Sequence, residues 1–262
     1  MDRGSFMKAL LLIASVTFKE LIREKTLHGL LVVFLLISIF SLILGQLSFA
    51  EQVRMSLDFG LSVMHLSVVG LSLILGAQLV QREIDRKTIF TLLVKPLQRT
   101  QYIFGKFLGL SALIFFTTFL CTLFLVLSMR YLGQFYWREI FTTGFGQWIE
   151  CSILIAVVLF LSQFLKPPVT IFCGVALFLI GHWFETLRFL TQKNPDAGLK
   201  ILHDVLTFVF PNLEIWNWKG MVIYGEFLSP LHLAAAFGQG LLWMGAYLFL
   251  AALLMERRDL IA

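Results

Sequence analysis

The chain has 262 residues, of which 58% are hydrophobic and only 14% charged, with a formal net charge of +5. A soluble domain carries about a quarter charged residues, so a mean hydropathy of +0.86, gathered in long apolar blocks, excludes an ordinary soluble core and predicts an all-α polytopic membrane protein. The basic residues flank those blocks instead of clustering on a polar face, so membrane topology and not nucleic acid accounts for the charge; Cys121, Cys151 and Cys173 all lie inside apolar blocks and imply neither a disulfide framework nor a zinc motif.

The first element covers residues 6–28. Lys8, Ser15, Lys19 and Arg23 recur at helical spacing, while Leu10, Ile13, Ala14, Phe18, Leu21 and Ile22 supply apolar surface. This pattern predicts an amphipathic helix lying on the inner membrane face; the alternative is a cytosolic extension of the first span. It is not a secretory signal, because charged residues from Lys19 to Lys25 stand where a small-residue cleavage site belongs. Six apolar stretches follow, near Gly29–Phe49, Leu57–Val80, Phe107–Ser128, Gln147–Leu165, Val169–Leu187 and Leu231–Met255. Each reaches the roughly 20 residues that a helix needs to cross ~30 Å of hydrocarbon. Lys166-Pro167-Pro168 separates the fourth from the fifth and reads as a tight turn. With the N-terminus inside, about two thirds of the 21 Lys and Arg residues fall on inner segments. The positive-inside rule then places both termini in the cytoplasm and makes residues 1–262 one six-span domain in a cell membrane.

The connection between the second and third spans, residues 81–106, carries the most specific pattern. Asp85–Val94 suits a short helix ended by Pro96. On it Ile89, Leu92 and Leu93 form an apolar ridge at i, i+3 and i+4, bracketed by basic residues. Such a ridge fits a groove in a partner or packs on the protein's own spans, and the pattern alone leaves both open. The series Glu83-x-x-x-Lys87-Thr88-Ile89-x-x-Leu92-Leu93-x-Lys95-Pro96-x-x-Arg99, then Gly105-Lys106, resembles the signature loop of type 2 ATP-binding-cassette (ABC) exporter permeases. Many relatives have Gly where this chain has Lys87. The resemblance extends to the N-terminal helix, the six-span layout and the long loop before the last span. It implies that Arg86–Val94 is a cytoplasmic coupling helix docking on an ABC ATPase subunit. Glu83, Arg86, Lys87, Thr88, Ile89, Leu92, Leu93, Lys95, Pro96 and Arg99 are then the coupling residues. Glu83 and Lys87 stand at i,i+4, a favourable pairing on a helix; an ordinary solvated Glu83 is the alternative. The resemblance further implies a homodimer, or a heterodimer with a paralogous permease, in a bilayer that is most often the bacterial inner membrane.

No G-x-x-x-x-G-K-[ST] is present, so the chain is expected to hold no cofactor of its own, with ATP and Mg on the partner ATPase. The five histidines show no HExxH or paired spacing. His182-x-x-Glu185 is a weak metal signal alone, and no catalytic, cofactor or metal residue is assigned. Residues 188–230 form a long outer loop. Lys200–Phe210 reads as an amphipathic helix stopped by Pro211-Asn212, and Trp216 and Trp218 suit the headgroup level. The resemblance makes this loop a lid over the pathway; a membrane-resting connector is the alternative. Asp58, His65, Glu150 and Glu185 are candidates for the pathway or its outer gate, against the reading that the carboxylates merely snorkel to water near the interface. His65 sits deeper and is expected to face the protein interior. The leading reading is thus the membrane subunit of an ATP-driven exporter. The alternatives are a membrane-embedded enzyme acting on lipid-linked substrates, and a non-transporting assembly subunit of ABC type.

Overall fold

The computed structural model describes residues 3–46, 52–85, 99–193, 197–224 and 229–257, and among them all regular structure is helical. In chain order the helices are α1 (Arg3–Ile22), α2 (Lys25–Gln46), α3 (Gln52–Asp85), α4 (Arg99–Tyr131), α5 (Trp137–Leu161), α6 (Pro167–His182), α7 (Phe184–Lys193) and α8 (Ala197–Val209). A 3-10 turn (Glu214–Trp216), α9 (Lys219–Tyr224) and α10 (Pro230–Arg257) complete them. Five of these, α2 to α5 and α10, are long and apolar enough to cross a membrane, and α6 with α7 passes the same test only as a pair, bent by 41°, which is a broken span or a re-entrant loop. The described helices therefore supply five or six of the predicted six spans, according to whether the bent pair crosses or re-enters.

Helix α5 is the axis of the bundle. It packs against α3, α4, α6 and α10, and every residue from Cys151 to Leu159 is buried. A helix that is apolar on all sides belongs in an interior. The outermost spans show the opposite pattern: α2 exposes Leu36, Phe40 and Ile43, and α10 exposes Leu241, Leu242 and Phe249, surfaces suited to lipid.

Three sequence expectations need correction. The fourth span starts at Trp137, not Gln147. The ten residues in between include Thr142, Thr143, Gly144 and Gly146, which lower the hydropathy without exposing the segment: Thr143, Gly144 and Gly146 are buried against neighbouring elements. Glu150 consequently lies mid-helix and not near an end. Next, α3 continues to Asp85 and α4 begins at Arg99, so the connecting segment narrows from 81–106 to 86–98. Arg86, Lys87, Thr88, Ile89, Leu92, Leu93, Lys95 and Pro96 lie outside the described residues, while Glu83 falls in the last turn of α3 and Arg99 opens α4. Lastly, Trp216 and Trp218 do not stand on an open surface as interfacial rings would. Trp216 is fully enclosed and Trp218 nearly so, because the 3-10 turn is driven into the end of the bundle. Leu213 N–H donates to the Gly181 carbonyl (3.1 Å) and Thr143 Oγ1 to the Trp218 carbonyl (3.1 Å).

The N-terminal helix is separate from the first span, since the chain breaks helix at Arg23 and Glu24. It lies along α4. A Cβ at Gly105 would stand 2.7 Å from Ile13 Cγ2, and one at Gly109 would stand 2.7 Å from the Ala14 carbonyl oxygen. The absence of side chains at these two positions, four residues apart, lets the two backbones touch. Thr17 is fully buried in that seam, and Lys106, beside it on α4, is buried with its ammonium 5.6 Å from the Tyr102 ring centroid.

Candidate functional site

Burying ionisable groups in a helical bundle is expensive unless they meet partners, and one end of this bundle gathers several. Glu150 projects from the middle of α5 and is wholly buried. His65, thirteen residues into α3, places Nε2 3.0 Å from both Glu150 carboxylate oxygens. A carboxylate only accepts, so His65 Nε2–H is the donor. The last residue of α6 supplies His182, whose Nε2 lies 3.6 Å from Glu150 Oε1 and 3.7 Å from Glu214 Oε2. Both exceed hydrogen-bond length. Nδ1 of His182 stands 3.1 Å from the Phe178 carbonyl one turn earlier, and a carbonyl can only accept. The Nδ1 position therefore carries the proton, and in the neutral ring the Nε2 lone pair faces two carboxylates.

The inserted turn brings in the fourth member. Asn212 Oδ1 accepts from Glu214 N–H (3.1 Å), and Asn217 donates to Glu214 Oε1 (2.9 Å), which aims the carboxylate toward α6. Burial pushes the Glu214 carboxyl above its ordinary value. The Asn217 hydrogen bond and the nearby His182 oppose that shift, and the negative Glu150 and Glu185 reinforce it. The Phe178 ring closes one side, 4.5 Å from the His182 ring and 5.5 Å from that of His65. Above the cluster, on the same face of α3, Asp58 and Ser62 both hold Lys219 at the start of α9. Two carboxylates and two imidazoles thus converge from α3, α5, α6 and the turn, in a setting that calls for positive charge between them.

A family model described as "ABC-2 family transporter protein" matches residues 11–260, nearly the whole chain. The chain belongs to the ABC-2 transporter family. It is the permease component of an ABC transporter, a multi-pass membrane subunit for transport and not an enzyme, so the reading as an enzyme on lipid-linked substrates falls. A search of curated proteins finds no match.

Of the permease's four predicted pathway residues, the fold brings together two. His65 and Glu150 form the heart of the cluster, and the reading of Glu150 as an interfacial, snorkelling carboxylate is corrected by its complete burial. Asp58 is exposed and is occupied by Lys219, two turns along α3 from His65. Glu185 is exposed on α7, where it lines an open surface pocket with Arg188 and Gln192. The weak His182/Glu185 pairing does not form. His182 turns instead to Glu150 and Glu214, because the helix breaks at Trp183 and sends Glu185 away. The sequence reading gave Glu214 no role and Lys219 only a place among the outer basic residues: Glu214 lies in the 3-10 turn and Lys219 at the start of α9, in a segment whose docking depends on small residues elsewhere, at Gly146, Gly181 and Gly240.

Proposed function

We propose that this permease is driven by a separate ABC ATPase, that the segment Arg86–Val94 is the docking key for that ATPase, and that two permease chains together form the pathway of an exporter. The observation that carries this reading is the family match across residues 11–260, joined to a chain that has no P-loop. The ridge Ile89, Leu92 and Leu93 supports the docking role, because it is too short to span and too apolar to stay in water. The Lys and Arg bias supports cytoplasmic termini, a cytoplasmic docking segment and insertion in a bacterial inner membrane. Nucleotide closes the ATPase pair and moves the docked segments, and the spans change the side to which they open. ATP shifts that equilibrium only by its differential affinity for the two states. The cluster around Glu150 supports a pathway that handles charge, since buried ionisable residues between spans mark such routes. The assembly-subunit reading makes the same docking contact and differs only in what moves.

Leu92→Asp tests the docking assignment. Burying an unpaired carboxylate in a partner groove costs several kcal/mol, and each 1.4 kcal/mol is about tenfold in affinity. The variant permease should therefore insert and melt like wild type but recover little ATPase on copurification. Undiminished ATPase recovery would defeat the assignment. A marked fall in the melting temperature of the permease alone would show that the ridge packs on its own spans.

A further inference from the structure

We propose that His65, Glu150 and His182, completed by Glu214, form a binding site for a divalent transition-metal cation of the zinc class. The proposal rests on the geometry of these side chains and stands apart from the ATPase reading. The ligand atoms of His65, Glu150 and His182 all lie within 4.8 Å of one another. Around a tetrahedral ion with bonds of about 2.0–2.2 Å, neighbouring donors stand roughly 3.3–3.6 Å apart. The observed separations are 3.0 Å for His65 to Glu150, 3.6 Å for Glu150 to His182 and 3.7 Å for His182 to Glu214. These three neighbouring separations lie within a few tenths of an ångström of that spacing; Glu214, which meets the group through His182, would move inward to complete the shell.

The donor set selects the ion. Two imidazoles with carboxylate oxygens suit zinc and its first-row neighbours, whereas calcium and magnesium favour all-oxygen shells. The orienting contacts are those of a ligating histidine: His182 is fixed through Nδ1–H to a backbone carbonyl, which leaves Nε2 as the free donor atom. That Nε2 is buried and makes no hydrogen bond. A neutral ring there turns its lone pair toward two carboxylates, an arrangement that a dication between them resolves. The charge balances as well, because two carboxylates neutralise one dication while Lys219 is held by Asp58. Only one of the four ligands, His65, must give up a hydrogen bond. To ligate through Nε2, a neutral His65 ring takes the Nδ1–H tautomer, while a protonated ring must first release a proton, so binding weakens as pH falls. The ion would fasten α3, α5, α6 and the inserted turn to one another.

The test uses the purified full-length permease in detergent, freed of metal by chelator, with Zn2+ and Co2+ as probes. The proposal expects one ion per chain, a visible Co2+ ligand-field spectrum of tetrahedral type, and a rise in melting temperature with Zn2+ that follows occupancy. His182→Gln should weaken Zn2+ binding about tenfold or more and remove the melting shift, while Glu20→Gln, exposed on α1, should change neither. If His182→Gln does not fold, His65→Asn replaces it, and the wild-type Co2+ spectrum decides without any variant. Absence of saturable binding, an octahedral all-oxygen spectrum, or Zn2+ binding undiminished in His182→Gln would overturn the proposal. So would a cluster that responds to pH alone and takes up no ion.

Discussion

At the scale of single residues, Glu214 shows how burial and partners set opposing demands on one carboxylate. Its folded value lies above the ordinary one, with burial as the first cause. The folded state therefore binds this proton more tightly than the unfolded chain. Its contribution to stability is complete below the ordinary carboxylate value and is lost as pH rises through the raised folded value. The groups facing it are His182 from α6, Glu150 from α5, Glu185 from α7 and Asn217 beside it. In metal-free protein, Glu214→Gln should consequently gain on wild type as pH rises from about 4 toward 7. Melting curves of both proteins across that range check this. A difference that shrinks with rising pH would show that His182 outweighs burial at this position.

At the scale of elements, the site depends on a turn whose place is set by small residues. A Cβ added at Gly146 would stand 2.8 Å from the Trp216 carbonyl oxygen and 2.9 Å from Trp218 Cε3. Neither neighbour has room to yield, since Trp216 is fully enclosed. Overpacking of this kind costs about 1–3 kcal/mol. Gly146→Ala should lower the melting temperature and displace Glu214 from His182, while Gly70→Ala, where a Cβ would meet nothing within 4 Å, should not. Equal melting of the two variants would mean that the turn docks loosely. The same dependence explains what the sequence concealed. Long apolar runs announced α2, α3, α4 and α10, and Pro167 marked the start of α6. The first ten residues of α5 were missed because their polar and glycine content, which lowers hydropathy, serves packing of the inserted turn. Of the cluster, His65 and Glu150 were legible as ionisable residues in apolar stretches. His182 was visible only as half of a false pair, and Glu214 carried no local signal, since its role exists only once the loop folds back.

At the scale of the molecule, α5 is enclosed by its neighbours, whereas α2 and α10 keep broad apolar faces. That gradient fits a subunit with lipid on one side, and for a permease it leaves surface for a second chain. The chain as a whole brings transmembrane helices and a buried charged cluster but no P-loop sequence, and on that division of labour the account stands. The most direct test is ATP turnover by the homogeneous permease, measured alone and after copurification with its ATPase. The account predicts no saturable ATP binding or hydrolysis by the permease alone, and hydrolysis only when the ATPase accompanies it. Saturable ATP hydrolysis by the permease by itself would contradict it.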